Sequence, residues 1–234
     1  MHRRTFCSNL LLLSSASALP LAGCGEAMDD KRQTVSVPPF SRGRLHVQLD
    51  ALRVAFEARG HHVSRSLLPP LHEQELKERC TWFPGALPEE LVALYAWRGG
   101  QGKGAHEEEY PFWFRDCAFS SPERAEQEYK SMMESYGANP EDHELLKHSF
   151  PFASFNGGWL VLPCKDQRLD KRLQRPVISV MQGVDIHFYS LQLMVDTCVD
   201  WVSHPQYDRE NQLPGAIEVA IWRRHNPGIF DTAA

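Results

Sequence analysis

Leu87-Pro88-Glu89-Glu90-Leu91-Val92-Ala93-Leu94-Tyr95-Ala96-Trp97-Arg98-Gly99-Gly100 reads as a helix with both ends marked. Pro88 stands in the first turn, where a missing N–H costs nothing, and Glu89 and Glu90 place negative charge at the positive end of the helix dipole. Leu91, Leu94 and Tyr95 recur at helical spacing and turn inward. Arg98 and the Gly99-Gly100 pair close the helix, glycine being the residue that most readily takes the conformation a helix end requires. So apolar a helix needs a core around it, and the flanking sequence supplies one.

Upstream, Leu45, Leu49, Leu52 and Phe56 are spaced by four, three and four, which predicts a helix ending near Gly60. Leu68-Pro69-Pro70 followed by Glu73 to Arg79 predicts a turn and a short helix. Downstream, the aromatic run Tyr110 to Phe119 reads as a strand behind an acidic loop from Gly99 to Glu109. Ser120 with Glu123 forms a candidate capping box for a helix carrying Ala125, Tyr129, Met132 and Tyr136. Beyond the polar stretch Asn139-Pro140-Glu141-Asp142, three or four short strands are expected, at Phe150–Phe155, Trp159–Pro163, Pro176–Met181 and Val184–Tyr189. Asn156-Gly157-Gly158 and Gln182-Gly183 suit hairpin turns. Ser190 caps a helix with Leu191, Met194, Cys198 and Val202 on one face, ended by Pro205, and a last apolar run spans Ile217 to Trp222. Helices, a mainly antiparallel meander and helices again predict a single α+β domain.

The chain of 234 residues has 42% apolar residues with 12 Phe, 6 Trp and 6 Tyr, enough to bury a core and to exclude general disorder. Its formal charge of −5 and the lack of a long basic run argue against a nucleic-acid partner. Trp97, Trp113, Trp159 and Trp201 fall in or beside expected elements and read as core residues.

The first 23 residues have the layout of an export signal: Arg3-Arg4, then an apolar stretch from Leu10 to Leu21 too short and interrupted to span a membrane. A basic start of this kind suits either the general secretory or the twin-arginine route. Leu21-Ala22-Gly23-Cys24 resembles the bacterial lipobox, which implies cleavage before Cys24 and attachment of lipid, including a palmitate-type acyl chain, to that cysteine. Loss of Arg3 and Arg4 takes the formal charge from −5 to −7. Residues 24–43 then form the lipidated terminus and a polar tether, residues 44–204 the domain, and 205–234 a C-terminal extension. The expected location is the cell envelope on the periplasmic side. Gly25 in place of an aspartate favours the outer membrane. Cys80, Cys117, Cys164 and Cys198 allow two disulfides in three connectivities, or serve as buried apolar residues.

Local catalytic motifs fail one by one. His72-Glu73 is followed by Leu76, and His106-Glu107 by Tyr110, where a zinc-protease helix needs a second histidine. Lys103 in the glycine-rich Gly99–Gly104 segment precedes Gly104 rather than the Ser or Thr of a phosphate loop, and neither GxSxG nor GxGxxG occurs. Glu107-Glu108-Glu109 reads as a solvated acidic loop and is the candidate partner-binding run.

The pattern LPxxLxxLYxxxGG at residues 87–100 resembles the N-terminal helix signature of the SUKH superfamily, which includes the fungal Smi/Knr-type cell-wall regulators and many bacterial immunity proteins. Leu68-Pro69-Pro70 with Glu73 and Glu75, Phe150-Pro151-Phe152-Ala153 with Gly157-Gly158, Pro176-Val177-Ile178, and Tyr189-Ser190-Leu191 are similar to that family in order and spacing. The resemblance covers roughly residues 45–204. It departs at Ser154-Phe155-Asn156, where family members often carry an acid, and in the long loop from Gln101 to Glu109. It implies an α+β fold with a mainly antiparallel sheet flanked by helices, no catalytic machinery and no cofactor. It further implies a cognate toxin as partner, with the membrane engaged through the N-terminal lipid. A scaffold role in envelope maintenance is the alternative, and an envelope enzyme the third reading.

Overall fold

The computed structural model describes residues 37–102, 113–114, 117–136, 139–155, 157–164, 175–181, 183–208 and 213–229. Thr34–Ala234 packs as one compact unit.

The first helix, α1 (Arg42–Ala58), is capped by Ser41, whose Oγ accepts from the Arg44 N–H, and it buries Leu45, Leu49, Leu52 and Phe56 as their spacing requires. Each such side chain contributes roughly 1.5–3 kcal/mol by leaving water. A 3-10 turn at Val63–Arg65 leads to α2 (Glu73–Arg79), where Glu73–Lys77 and Glu75–Arg79 pair one turn apart at 2.7 and 2.6 Å. The helix that opened the sequence reading is α3 (Glu89–Trp97). Pro88 lies just outside it in extended conformation, with its carbonyl accepting from the Leu91 and Val92 N–H groups. At the other end Gly99 and Gly100 hydrogen-bond back to the Leu68–Pro70 turn, the Gly99 N–H reaching the Pro69 carbonyl at 2.9 Å.

The expected strand from Tyr110 to Phe119 is reduced, among the described residues, to β1 (Ala118–Phe119). Trp113 and Phe114 are both buried, so they break the inward–outward alternation a strand requires. Phe114 and Cys117 exchange backbone hydrogen bonds in a tight reversal. Residues 110–112 and 115–116 lie outside the described residues.

Next comes α4 (Pro122–Tyr136), and its cap is one residue later than expected. Ser121, not Ser120, is the cap because the helix begins at Pro122: its Oγ accepts from the Arg124 N–H at 3.3 Å and its carbonyl from the Ala125 N–H at 2.8 Å, while the Ser120 carbonyl takes the Tyr95 hydroxyl at 2.8 Å. Ser121→Ala is therefore expected to cost about 1 kcal/mol and Ser120→Ala close to nothing, as read from urea midpoints. The polar stretch at Asn139 turns out to open a further helix, α5 (Pro140–Lys147). Asn139 supplies its cap: the carbonyl accepts from the His143 N–H at 2.9 Å, and Nδ2 donates to Asp142 at 2.7 Å.

The meander follows: β2 (Ser149–Phe155), β3 (Gly158–Pro163), β4 (Val177–Val180) and β5 (Val184–Phe188), giving an antiparallel sheet in the order β1-β2-β3-β4-β5. Phe155 pairs with Gly158, and Gly157 just before it has φ +78°. Side chains alternate across the sheet. Phe150, Phe152, Leu160, Leu162 and Phe188 enter the main core, while Trp159, Val161, Ile178 and Val180 pack with Met132 of α4 and Leu146 of α5 on the other face.

Ser190 caps α6 (Leu191–Ser203), accepting from the Leu193 N–H, and α7 (Gly215–His225) ends the described chain's helices. Leu213, Ile221 and Trp222, from the segment read as an extension, join the main core. The result is α+β in three layers: α1, α3, α6 and α7, then the sheet, then α4 and α5. The four tryptophans expected in the core are all buried there.

Candidate functional site

Cys24 and the run Glu107-Glu108-Glu109, which the sequence singles out, lie outside the described residues. What the described residues offer is a core whose buried carboxylates are bonded inward and an outer surface with an uneven charge.

Carboxylates, two of them buried and two exposed or partly so, are engaged within the fold. Glu90, in the first turn of α3 and 8% exposed, holds the Arg175 guanidinium at 2.6 Å, beside the Val37–Phe40 strap and the start of α6. Glu128 of α4 receives the Trp159 indole N–H at 2.6 Å and pairs with Arg124 one turn earlier at 2.5 Å. Asp50 accepts from Trp97 Nε1 at 3.1 Å, and Asp200 lies 2.8 Å from His225 Nε2 and 3.2 Å from Arg224. These contacts tie α1 to α3, α4 to the sheet and α6 to α7.

Asn226 does the same for the end of the sheet. Wholly buried, it accepts the Tyr189 N–H after β5 on Oδ1 at 3.1 Å, and donates from Nδ2 to the Trp222 carbonyl at 3.2 Å and Thr197 Oγ1 at 3.4 Å. Asn226→Ala strands these groups, and a loss of about 2–3 kcal/mol in urea unfolding is expected.

A cavity bordered by Phe56, Trp113, Trp201, Tyr207, Leu213 and Glu218 has a volume of about 30 Å³. That is room for a water, against the hundreds of Å³ of a small-molecule site. Of the sequence's histidines, His46 lies with Nε2 2.8 Å from the Ala93 carbonyl, and His61 packs edge-on against Phe56 and Tyr207. No group of three or more His, Cys, Asp or Glu gathers as a metal site among the described residues.

Cys80 and Cys117 are buried, as is Cys198, while Cys164 is half-buried and places Sγ 3.3 Å from the Leu162 carbonyl. The structure draws no disulfide between any two of the four. Burial pushes the thiols of Cys80 and Cys164 up to about 12. No described protein family and no curated protein matches the chain.

On the surface, the described carboxylates of α4 and α5 are Glu123, Glu126, Glu134, Asp142 and Glu144, against Arg124, Lys130 and Lys147. By contrast, α1 carries Arg42, Arg44 and Arg53 against Asp50 and Glu57. Charge is thus uneven across the sheet: the α4–α5 layer has an acidic excess, whereas on α1 Arg44 is paired with Asp196 of α6 at 3.1 Å and Arg53 with Asp50 and Glu57. Neither surface could be recognised as such from sequence, because the unevenness depends on which side of the sheet each helix covers.

Proposed function

We propose that this chain is a non-catalytic envelope protein, anchored by lipid on Cys24, that binds and neutralises a cognate toxin. The observation that carries this reading is the division of charge: the buried carboxylates Glu90 and Glu128 are spent on internal pairs, while excess acid lies outward on α4 and α5. Such a face complements a basic partner and accelerates its encounter. The SUKH-like order of motifs supports the same reading, since residues 87–100 build the central helix and its closing turn. As an acidic protein held at the membrane, it meets a toxin arriving in the envelope before the toxin reaches wall or membrane.

The proposal requires a toxin gene beside this one, and co-expression with that toxin tests it. Cells making the chain in their envelope are expected to survive and cells lacking it to die, and killing of both would refute immunity. Binding measured with purified proteins is expected to weaken as salt rises from 0.05 to 0.5 M, by about tenfold or more for a charge-steered pair.

A further inference from the structure

Cys80 and Cys164 are joined to no other sulfur, in a chain whose sequence reads as that of an exported protein. The turn 80–85 runs from one to the other. Cys80 closes α2, and its carbonyl accepts from the Phe83 N–H at 3.0 Å. Phe83 is buried against Tyr129 and Phe150. A Cβ at Gly85 would stand 3.7 Å from the Cys164 Cβ, so this turn lies against the end of β3. Cys80 is 5% exposed, and Cys164 places its Sγ 3.3 Å from the Leu162 carbonyl.

Outside the cytoplasm thiols are oxidised, and one stays unpaired there only where the fold hides it before an oxidant arrives. A chain that crosses the membrane unfolded presents both thiols to water at their ordinary value of 9.0, open to exchange with an oxidised partner. In the fold the same thiols are covered, and burial leaves each of them little of the thiolate that exchange requires. The domain closes its core around Leu45, Leu91, Phe150 and Met194 without a bond between these two sulfurs. Unpaired thiols at this place are the state of a chain that folded first.

The sequence supplies an independent observation. Arg3-Arg4-Thr5-Phe6 sets two adjacent arginines one residue before a phenylalanine, as twin-arginine export signals do. The apolar stretch behind them is weak, because Ser14, Ser15, Ser17 and Pro20 interrupt its leucines. The general secretory route threads unfolded chains behind strongly apolar signals, whereas the twin-arginine route carries folded domains behind weaker ones.

We infer that this domain folds in the reducing cytoplasm, with Cys80 and Cys164 as thiols, and crosses the membrane already folded by the twin-arginine route. The inference rests on the export half of the reading above, and on neither the lipid nor the toxin. It gives the protein a defined working state: no oxidant or disulfide isomerase is needed at its destination.

The test uses the full chain, made in a bacterial host and in the same strain lacking the twin-arginine translocase. Arg3→Lys with Arg4→Lys keeps the positive start that the general route needs and lies outside the domain. Mature protein in the envelope is expected to fall at least tenfold in that variant, and equally for the wild type in the strain without the translocase. Wild-type envelope protein is then trapped in acid, unfolded and treated with a maleimide. Peptide mass spectrometry is expected to find the label on both Cys80 and Cys164.

Full yield of mature protein from the paired lysine variant, or without the translocase, overturns the inference and leaves export standing. Wild-type envelope protein in which Cys80 or Cys164 takes the label only after a reductant is added overturns it too. Absence of the chain from the envelope of every strain overturns export and the inference together. Translocase-dependent delivery with both thiols labelled but no uptake of a radioactive fatty acid upholds the inference and removes the anchor at Cys24.

Discussion

Gly100→Ala is expected to destabilise the domain by about 3–5 kcal/mol, the combined cost of a strained backbone and an overpacked site. Gly100 has φ +103°, a conformation that side-chain-bearing residues rarely adopt. A Cβ placed there would stand 2.5 Å from the Ser121 nitrogen and 2.6 Å from its Cα. Both are backbone atoms at the cap of α4, and neither can swing away. Gly60 separates the two contributions. It has φ +79° but open space around its Cβ, so Gly60→Ala carries the conformational strain alone, about 1 kcal/mol. Urea midpoints of the two variants decide the matter. Equal losses would mean that the α3–α4 junction relaxes, and that the double glycine serves only as a helix stop.

This position shows what the sequence made legible and what it did not. Gly99-Gly100 was readable as the end of a helix, since glycine after an apolar helical run is a local signal. That Gly100 must also let α4 approach was not, because Ser121 meets it only in the fold. The same divide runs through the rest. Leu45, Leu49, Leu52 and Phe56 announce α1, and the alternation of Trp159 to Leu162 with an Asn-Gly turn before it announces the β2–β3 hairpin, because period and turn chemistry are local. Helix α5 was hidden because Asn139-Pro140 is a good turn and an equally good helix start. What decides is Leu146 finding a place under the sheet.

The candidate surface was harder still to read. Glu90 and Arg175 are 85 positions apart, and the cavity beside Phe56 draws its wall from Trp113, Trp201 and Tyr207. On α1, Val47 and Val54 share their helix with the leucine stripe. In sequence, a helix apolar on two faces looks like one buried on both. Only the placement of α6 and α3 against the leucine face shows that Val47 and Val54 stay outside.

Raising the pH from 7 to 10 is expected to cost the fold about 3 kcal/mol through Cys80 and Cys164 alone. Burial pushes both thiols up to about 12, from an ordinary 9.0. The folded protein therefore keeps two protons that the unfolded chain releases above about pH 9. The stabilisation is fully present below that pH and is lost progressively as pH rises toward 12. One unit past the ordinary value, each thiol accounts for about 1.4 kcal/mol, and the two for about 3. Tyr95 adds to the loss beyond pH 10, because its wholly buried hydroxyl, donating to the Ser120 carbonyl, is pushed well above its ordinary value. The double variant Cys80→Ala/Cys164→Ala isolates the thiols. It starts less stable at pH 7, having lost buried volume, but its decline between pH 7 and 10 should be flatter by about 3 kcal/mol. Urea unfolding followed by circular dichroism, under reductant at each pH, measures the difference. Parallel declines in wild type and variant would mean that these thiols titrate as if in water.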